Sequence, residues 1–260
     1  MPAYAMLETA RGEGGVLVLA LSNPARRNAI GPRMVNELLW ALDEAEKDDS
    51  VRSVVLTGAP AGKAFSAGGD FAQLPVGEGD LPHKGDYCDL LLAMMRFPKP
   101  LVARVNGAAM GGGLGLVAAC HFAVAESGAR LGTPEIDVGL FPMMIMVVLG
   151  RIVPRRALVQ MMLFGDKLGA AEAEKLGLVS RVVAPEELDA AVRQITDTIA
   201  GKSPITVRLG LEAMAAREDL GVREALPMLR ERLAACLATE DAREGLTAFL
   251  EKRKPVWKGR

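Results

Sequence analysis

Cysteine is scarce in this chain of 260 residues: Cys88, Cys120 and Cys236 lie far apart, without a C-x-x-C pair. An odd and sparse set of this kind excludes a disulfide framework and reads as reduced thiols in a cytosolic setting. Histidine is scarcer still. His83 and His121 have no companions at ligand spacing, so no metal site is expected. Charge of one sign is missing too, because 31 basic and 32 acidic residues leave a net charge of −1. That balance speaks against nucleic-acid binding and against a polybasic membrane anchor. No apolar run follows basic residues in Met1–Arg11, so no signal peptide is visible. The longest apolar stretch, Val138–Gly150, is too short to span a bilayer and contains Pro142. A soluble cytoplasmic protein without a membrane partner is the expectation. No sequence repeat points to a solenoid.

Half of the residues are hydrophobic, enough for one large core or a core with an extension. Ala5–Ala10 and Val16–Leu21 read as strands around the turn Gly12–Gly15. Met34, Leu38, Ala41, Leu42 and Ala45 recur at helical spacing, and Pro32 suits a first turn, which predicts a helix over Pro32–Lys47. Val51–Thr57 is apolar enough for a strand buried on both faces. Gly58–Gly69 reads as a long loop, Asp70–Asp86 as a mobile one, and Tyr87–Arg96 as a short helix stopped by Pro98 and Pro100. Leu101–Val105 is a strand, and Gly111-Gly112-Gly113 opens an apolar helix reaching Cys120. Further strands are expected at His121–Ala125, Ala129–Leu131 and Val179–Val183, with a turn at Thr133-Pro134-Glu135. Helices are expected after Pro142, over Arg155–Phe164 and over Ala170–Leu176. From Pro185 onward the pattern is almost entirely helical. Strand–helix alternation up to that point implies a layered, parallel α/β core over residues 1–185. Residues 186–260 then read as a helical region for capping and oligomerisation.

The glycine run carries the first chemical signal. A helix start offers free backbone N–H groups and the positive end of a dipole, and glycine lets a ligand come close. Such a place suits developing negative charge. Gly113-Leu114-Gly115-Leu116-Val117-Ala118 also fits a dinucleotide fingerprint, with Glu135 roughly at ribose distance, so an NAD(P)-dependent oxidoreductase stands as one reading. Against it, the motif follows several strands rather than the first. Ser66 has no G-x-S-x-G setting for a serine hydrolase.

Several other stretches narrow the choice. Asn23-Pro24-Ala25-Arg26-Arg27-Asn28-Ala29, Lys63–Asp70, Asn106–Gly113, Thr133–Leu140, Ala170–Val183 and Phe249–Pro255 occur in order along nearly the whole chain. Together they resemble the crotonase (enoyl-CoA hydratase/isomerase) superfamily. The resemblance implies an α/β fold with a ββα spiral core and a helical C-terminal region, assembled as a trimer or a dimer of trimers. It implies an acyl-CoA thioester as substrate, with no cofactor besides the coenzyme A that the substrate carries. Two backbone N–H groups would hold the thioester oxygen as an enolate forms. By motif position they belong to Gly69, after Ala67-Gly68, and to Gly112, after Gly111. Of three places where relatives carry a catalytic acid, residue 115 is glycine, residue 143 is methionine, and only Glu135, after Pro134, is filled. Asp137, two residues on, would share a side with Glu135 on an extended segment and so could replace the missing carboxylate, although a surface charge is the favoured reading.

One carboxylate suits removal of a proton from an acyl chain and its return two carbons away. A Δ3→Δ2 double-bond shift is therefore favoured, with enoyl-CoA hydration or dehydration close behind. Burial among Leu131, Ile136, Leu140 and the methionines should raise the pKa of Glu135. The methionine cluster of Met143, Met144, Met146, Met161 and Met162 reads first as core filling, and where it meets Glu135 it could line an acyl pocket. For the coenzyme, the resemblance implies contacts from Ala25, Arg26, Arg27 and Ala67, and from Lys252 reaching a neighbouring subunit's nucleotide; Trp257 could cover the same place. Asp70 is expected to order its loop. Gly115 and the Met-Met-Ile-Met segment also allow a catalytically weak binding or scaffold subunit.

Overall fold

The computed structural model describes residues 4–70 and 81–260. The expected mobile loop, Asp70–Asp86, falls largely on residues 71–80, outside the described residues.

In chain order, the first half consists of β1 (Leu7–Gly12), β2 (Val16–Leu21), α1 (Pro32–Lys47), β3 (Ser53–Gly58), α2 (Tyr87–Met95), β4 (Leu101–Val105), β5 (Ala109–Met110), α3 (Gly112–Ala119), β6 (Phe122–Glu126) and β7 (Arg130–Gly132). There follow α4 (Ile145–Leu149), α5 (Arg155–Phe164), β8 (Lys167–Gly169), α6 (Ala170–Lys175) and β9 (Arg181–Val183). The chain closes with α7 (Leu188–Ala200), α8 (Pro204–Arg217), α9 (Val222–Leu237) and α10 (Glu240–Leu250).

Six strands form one sheet in the order β1-β2-β3-β4-β6-β9. Only the β1–β2 pair is antiparallel. Period-two alternation shows why both faces are covered. Leu17, Leu19 and Leu21 of β2, Val54 and Leu56 of β3, and Leu101, Ala103 and Val105 of β4 point into the main core, where the buried stripe of α1 meets them. The intervening Val16, Val55, Val102 and Val124 point to the other face, where Leu188, Ala191 and Val192 of α7 cover them.

A second sheet, β5-β7-β8, lies apart from the first. The units β4-β5-α3 and β6-β7-α4 each send their first strand to the large sheet and their second to the small one. Chain direction therefore turns at Asn106–Ala108 and again at Ser127–Ala129. That double use of each unit places the start of α3 beside the turn after β7. Two strands of the small sheet, β5 and β8, escape the sequence pattern, whereas the equally short β7 lies within one residue of the strand expected at Ala129–Leu131. The turn at Thr133-Pro134-Glu135 is a 3-10 helix over Pro134–Val138, and its proline sits in the first turn. This corrects the extended geometry expected for Glu135 and Asp137. Asp137 turns toward Gly165, at the end of α5, and does not share the side that Glu135 faces. Met161 and Met162 are buried in the core, whereas Met143, Met144 and Met146 are exposed, which corrects the core-filling reading for those three.

No helix among the described residues is long and apolar enough to cross a membrane.

Candidate active site

Two loops meet at the start of α3. The segment Ser66–Asp70 is clamped between neighbours on both sides. On one side, Ser66 N–H donates to Ala108 O and Met110 N–H donates back to Ser66 O, both at 3.0 Å. On the other, Ile30 N–H donates to Gly68 O at 2.7 Å and Asp70 N–H donates to Ile30 O at 2.8 Å. This bridge uses the atoms flanking Gly69 and leaves the Gly69 amide out. Gly112 is the first residue of α3, where helical geometry supplies no acceptor for its N–H. Among the described residues, neither the Gly69 nor the Gly112 N–H has a hydrogen-bond acceptor, and both residues line one cavity of about 680 Å³.

Glu135 lines the same cavity, with Asp70, Tyr87, Leu140, Phe141 and Met143. Its Oε2 is buried and has no hydrogen-bond partner among the described residues. Burial raises the carboxyl pKa above its ordinary value. Gly111 makes the approach possible: its φ is +48°, and a Cβ there would overlap Glu135 Oε1. Glutamate and amides therefore face one space, walled mainly by Ile30, Val35, Leu140, Phe141, Met144 and Ile145. Among the described residues, the other two carboxylates on its walls are engaged. Asp86 caps α2, accepting from Cys88 N–H and Asp89 N–H. The Asp70 side chain is 1% exposed and pairs with Arg26 Nη1 at 3.3 Å, which ties the 66–70 loop to the 23–28 loop.

The remaining expected residues fall in three places. Gly68, Gly111 and Pro134 lie next to the cavity-lining Gly69, Gly112 and Glu135. Ala25, Arg26 and Arg27 form the adjoining loop, a short 3-10 turn over Pro24–Arg26, and Ala67 N–H joins the two by donating to Arg27 O at 3.0 Å. Lys252 does not line the cavity; it is exposed just past the end of α10, with its N–H on Phe249 O. Trp257 is held at the end of α7, where its indole N–H donates to Gly201 O at 2.8 Å.

Among the lining residues that carried no site expectation, His83 and Tyr87 bear polar side chains. Tyr87 is the first residue of α2, and its hydroxyl donates to Gly112 O at 2.5 Å. Burial and the charge of Glu135 hold its phenol well above the ordinary tyrosine pKa, so it stays neutral. Tyr87 also explains Gly115. A Cβ at residue 115 would overlap both the Tyr87 hydroxyl and Ile145 Cγ2. The place from which a second acid would project is filled. Nothing in the sequence marked Tyr87 out, because helix α2 begins there on an ordinary aspartate cap.

The same contacts dispose of the dinucleotide reading. Gly113 packs on the Ser66 side chain and Gly115 on Tyr87 and Ile145, so neither opens toward a ligand. Their helix follows a two-residue strand of the small sheet, not a strand of the parallel one. Among the described residues, no group of three or more histidine, cysteine, aspartate or glutamate side chains is placed to hold a metal.

A sequence profile of the enoyl-CoA hydratase/isomerase family matches residues 11–260. The chain is 36% identical to the mitochondrial enoyl-CoA hydratase domain-containing protein 3 of Mus musculus, over 96% of this chain and 84% of that one. It is 32% identical to the short-chain-enoyl-CoA hydratase of Clostridium acetobutylicum, over 93% of this chain and 94% of that one. The crystal structure of an enoyl-CoA hydratase from Mycobacterium smegmatis superposes with a TM-score of 0.88 at 36% identity, covering 97% of this chain and 98% of that one. The fold is that of the crotonases.

Proposed function

The chain belongs to the enoyl-CoA hydratase/isomerase family, and from that premise we propose that it moves a proton at the carbon next to the carbonyl of an acyl-CoA thioester. One observation carries the reading. Glu135 has a buried, unpartnered carboxylate oxygen in the apolar cavity that also holds the two unengaged amides of Gly69 and Gly112.

Each part has a physical role. When the α-carbon of a thioester loses a proton, charge moves to the carbonyl oxygen. The Gly69 and Gly112 N–H groups stabilise that charge, each donor being worth about 3 kcal/mol in a preorganised site. Glu135 takes the proton. Its raised pKa brings it closer to the working pH, which favours transfer in both directions. With a Δ3-enoyl chain, the electron pair of the broken α C–H bond becomes the new C2=C3 bond. The old C3=C4 pair takes the proton from Glu135 at C4. Only one carboxylate is needed, and Asp70 and Asp86 are occupied elsewhere, so Δ3→Δ2 isomerisation is the favoured outcome. Hydration of a 2-enoyl chain is the second reading, favoured by the hydratase names of the relatives.

The coenzyme A part would lie along the loop of Ala25, Arg26 and Arg27 and the backbone at Ala67, with Lys252 reaching it from a second copy. No separate cofactor is required by either reaction. A homo-oligomer, a trimer or a dimer of trimers, would cover the exposed Leu226, Leu233 and Leu237 of α9 and Leu246, Phe249 and Leu250 of α10.

The test is turnover of a Δ3-enoyl-CoA and a trans-2-enoyl-CoA. Isomerisation raises the absorbance of the conjugated thioester, and hydration lowers it. Binding of both without any change would make the chain a scaffold subunit and overturn the catalytic reading.

A further inference from the structure

The wall opposite an acid–base glutamate decides what else that glutamate can do. Among the described residues the wall at residue 115 holds no carboxylate, yet it is not apolar. The Tyr87 hydroxyl stands where a side chain from residue 115 would begin, and Tyr87 and Glu135 line the same cavity. The phenol gives its one proton to Gly112 O at 2.5 Å. Its oxygen keeps two lone pairs, so toward the cavity it is an acceptor.

From this juxtaposition we propose that Tyr87 is a second catalytic group of the site, holding the water that adds to an enoyl-CoA. The inference rests on the acyl-CoA reading above and extends it. A water between Glu135 and Tyr87 points one hydrogen at each. Glu135 takes the first hydrogen as a proton while the water oxygen bonds to C3. The C2=C3 pair moves toward the thioester oxygen, held by the Gly69 and Gly112 amides. Glu135 then returns the proton to C2, and the sum is addition of one water. Tyr87 exchanges no proton; it only accepts from the second hydrogen. The neutrality of the phenol agrees, since an anionic oxygen there would compete with Glu135 as base. Isomerisation needs Glu135 alone, hydration needs Glu135 and Tyr87, and one site supports both.

Tyr87→Phe keeps the ring and removes only the oxygen. Two rates are compared in the intact chain: hydration of a trans-2-enoyl-CoA, and exchange of the α-protons of a saturated acyl-CoA with solvent deuterium. We expect the kcat of hydration to fall about 10-fold or more with KM nearly unchanged, and the ratio of hydration to exchange to fall by about the same factor. Tyr87→Met, which also fills the space without an oxygen, should show the same split if the phenylalanine variant misfolds. Equal loss of both rates would make the hydroxyl a clamp on the helix start and overturn the proposal. Undiminished hydration would overturn it as well. A wild-type chain that exchanges α-protons but hydrates nothing overturns the role of Tyr87 and leaves Glu135 as the base. A wild-type chain that does neither overturns the acyl-CoA reading itself.

Discussion

The fit between Gly115 and Tyr87 can be measured as a coupling energy. Consider Gly115→Ala. Helix propensity alone favours alanine inside a helix by about 1 kcal/mol. Here the added methyl would overlap Ile145 Cγ2 and the Tyr87 hydroxyl, with Ile145 Cβ 3.2 Å away. Ile145 is buried, and a β-branched side chain has little freedom at χ1. Overpacking of this kind costs about 1–3 kcal/mol. Displacing the hydroxyl from Gly112 O adds about 1 kcal/mol. The sum is a net destabilisation of about 1–3 kcal/mol, opposite in sign to the propensity effect. In a Tyr87→Phe background one of the two obstructions is gone, so the same change should cost about 1 kcal/mol less. Urea unfolding of the four chains at one protein concentration gives the cycle, provided the m-value stays constant. Fixed concentration matters if the chain assembles with itself. A Gly115→Ala chain as stable as wild type, or a cycle additive within about 0.5 kcal/mol, would refute the argument that the hydroxyl fills this place.

Two further outcomes follow from the site. The pKa of Glu135 is raised by burial, so kcat/KM for any step in which it acts as base should fall as pH drops through a value above the ordinary carboxylate range, as a pH–rate profile would show. Stability has the opposite dependence for this group. The cost of burying its charge is fully present above the raised pKa and fades as pH falls toward the unfolded value, and Glu135→Gln should remove that contribution from the pH–stability curve. Asn28 is buried, and its φ is +58°. Its Nδ2 donates to Ala59 O at 3.1 Å and Ala64 O at 2.8 Å, and its Oδ1 accepts from Asn23 N–H at 3.1 Å. Asn28→Ala strands the buried Asn23 N–H and Ala64 O at about 1–3 kcal/mol each, while Ala59 O keeps the Gly62 N–H, so thermal unfolding should show a loss of about 2 kcal/mol or more.

How much of this was legible beforehand depends on how each feature writes itself into the chain. Leu17, Leu19 and Leu21 alternate with Val16 and Val18, and Met34, Leu38, Ala41 and Leu42 keep helical spacing, so β2 and α1 can be read directly. The stretch from Pro185 onward, expected to be almost entirely helical, forms the four helices α7 to α10. Strands β5 and β8 are held by partners far along the chain, and their own residues show no period. The side to which Asp137 points depended on whether its segment was extended or helical, and two residues of spacing could not decide that. Glu135, Gly69 and Gly112 stood out through motif resemblance, and the fold brings all three to one cavity. Tyr87 did not, because its relation to Gly115 spans 28 residues of chain and exists only after α2 packs against α3. The dinucleotide pattern shows the converse. Gly113 and Gly115 fit a ligand motif in sequence, while in space they are closed by Ser66, Tyr87 and Ile145.

The central claim is that Glu135 carries the proton at the α-carbon. The direct measurement is deuterium incorporation from D2O into the α-position of a bound acyl-CoA, by wild type and by Glu135→Gln. The wild-type chain should exchange, and the glutamine chain should bind the thioester yet exchange about 10²–10⁴-fold more slowly. Exchange by Glu135→Gln at the wild-type rate would contradict the account.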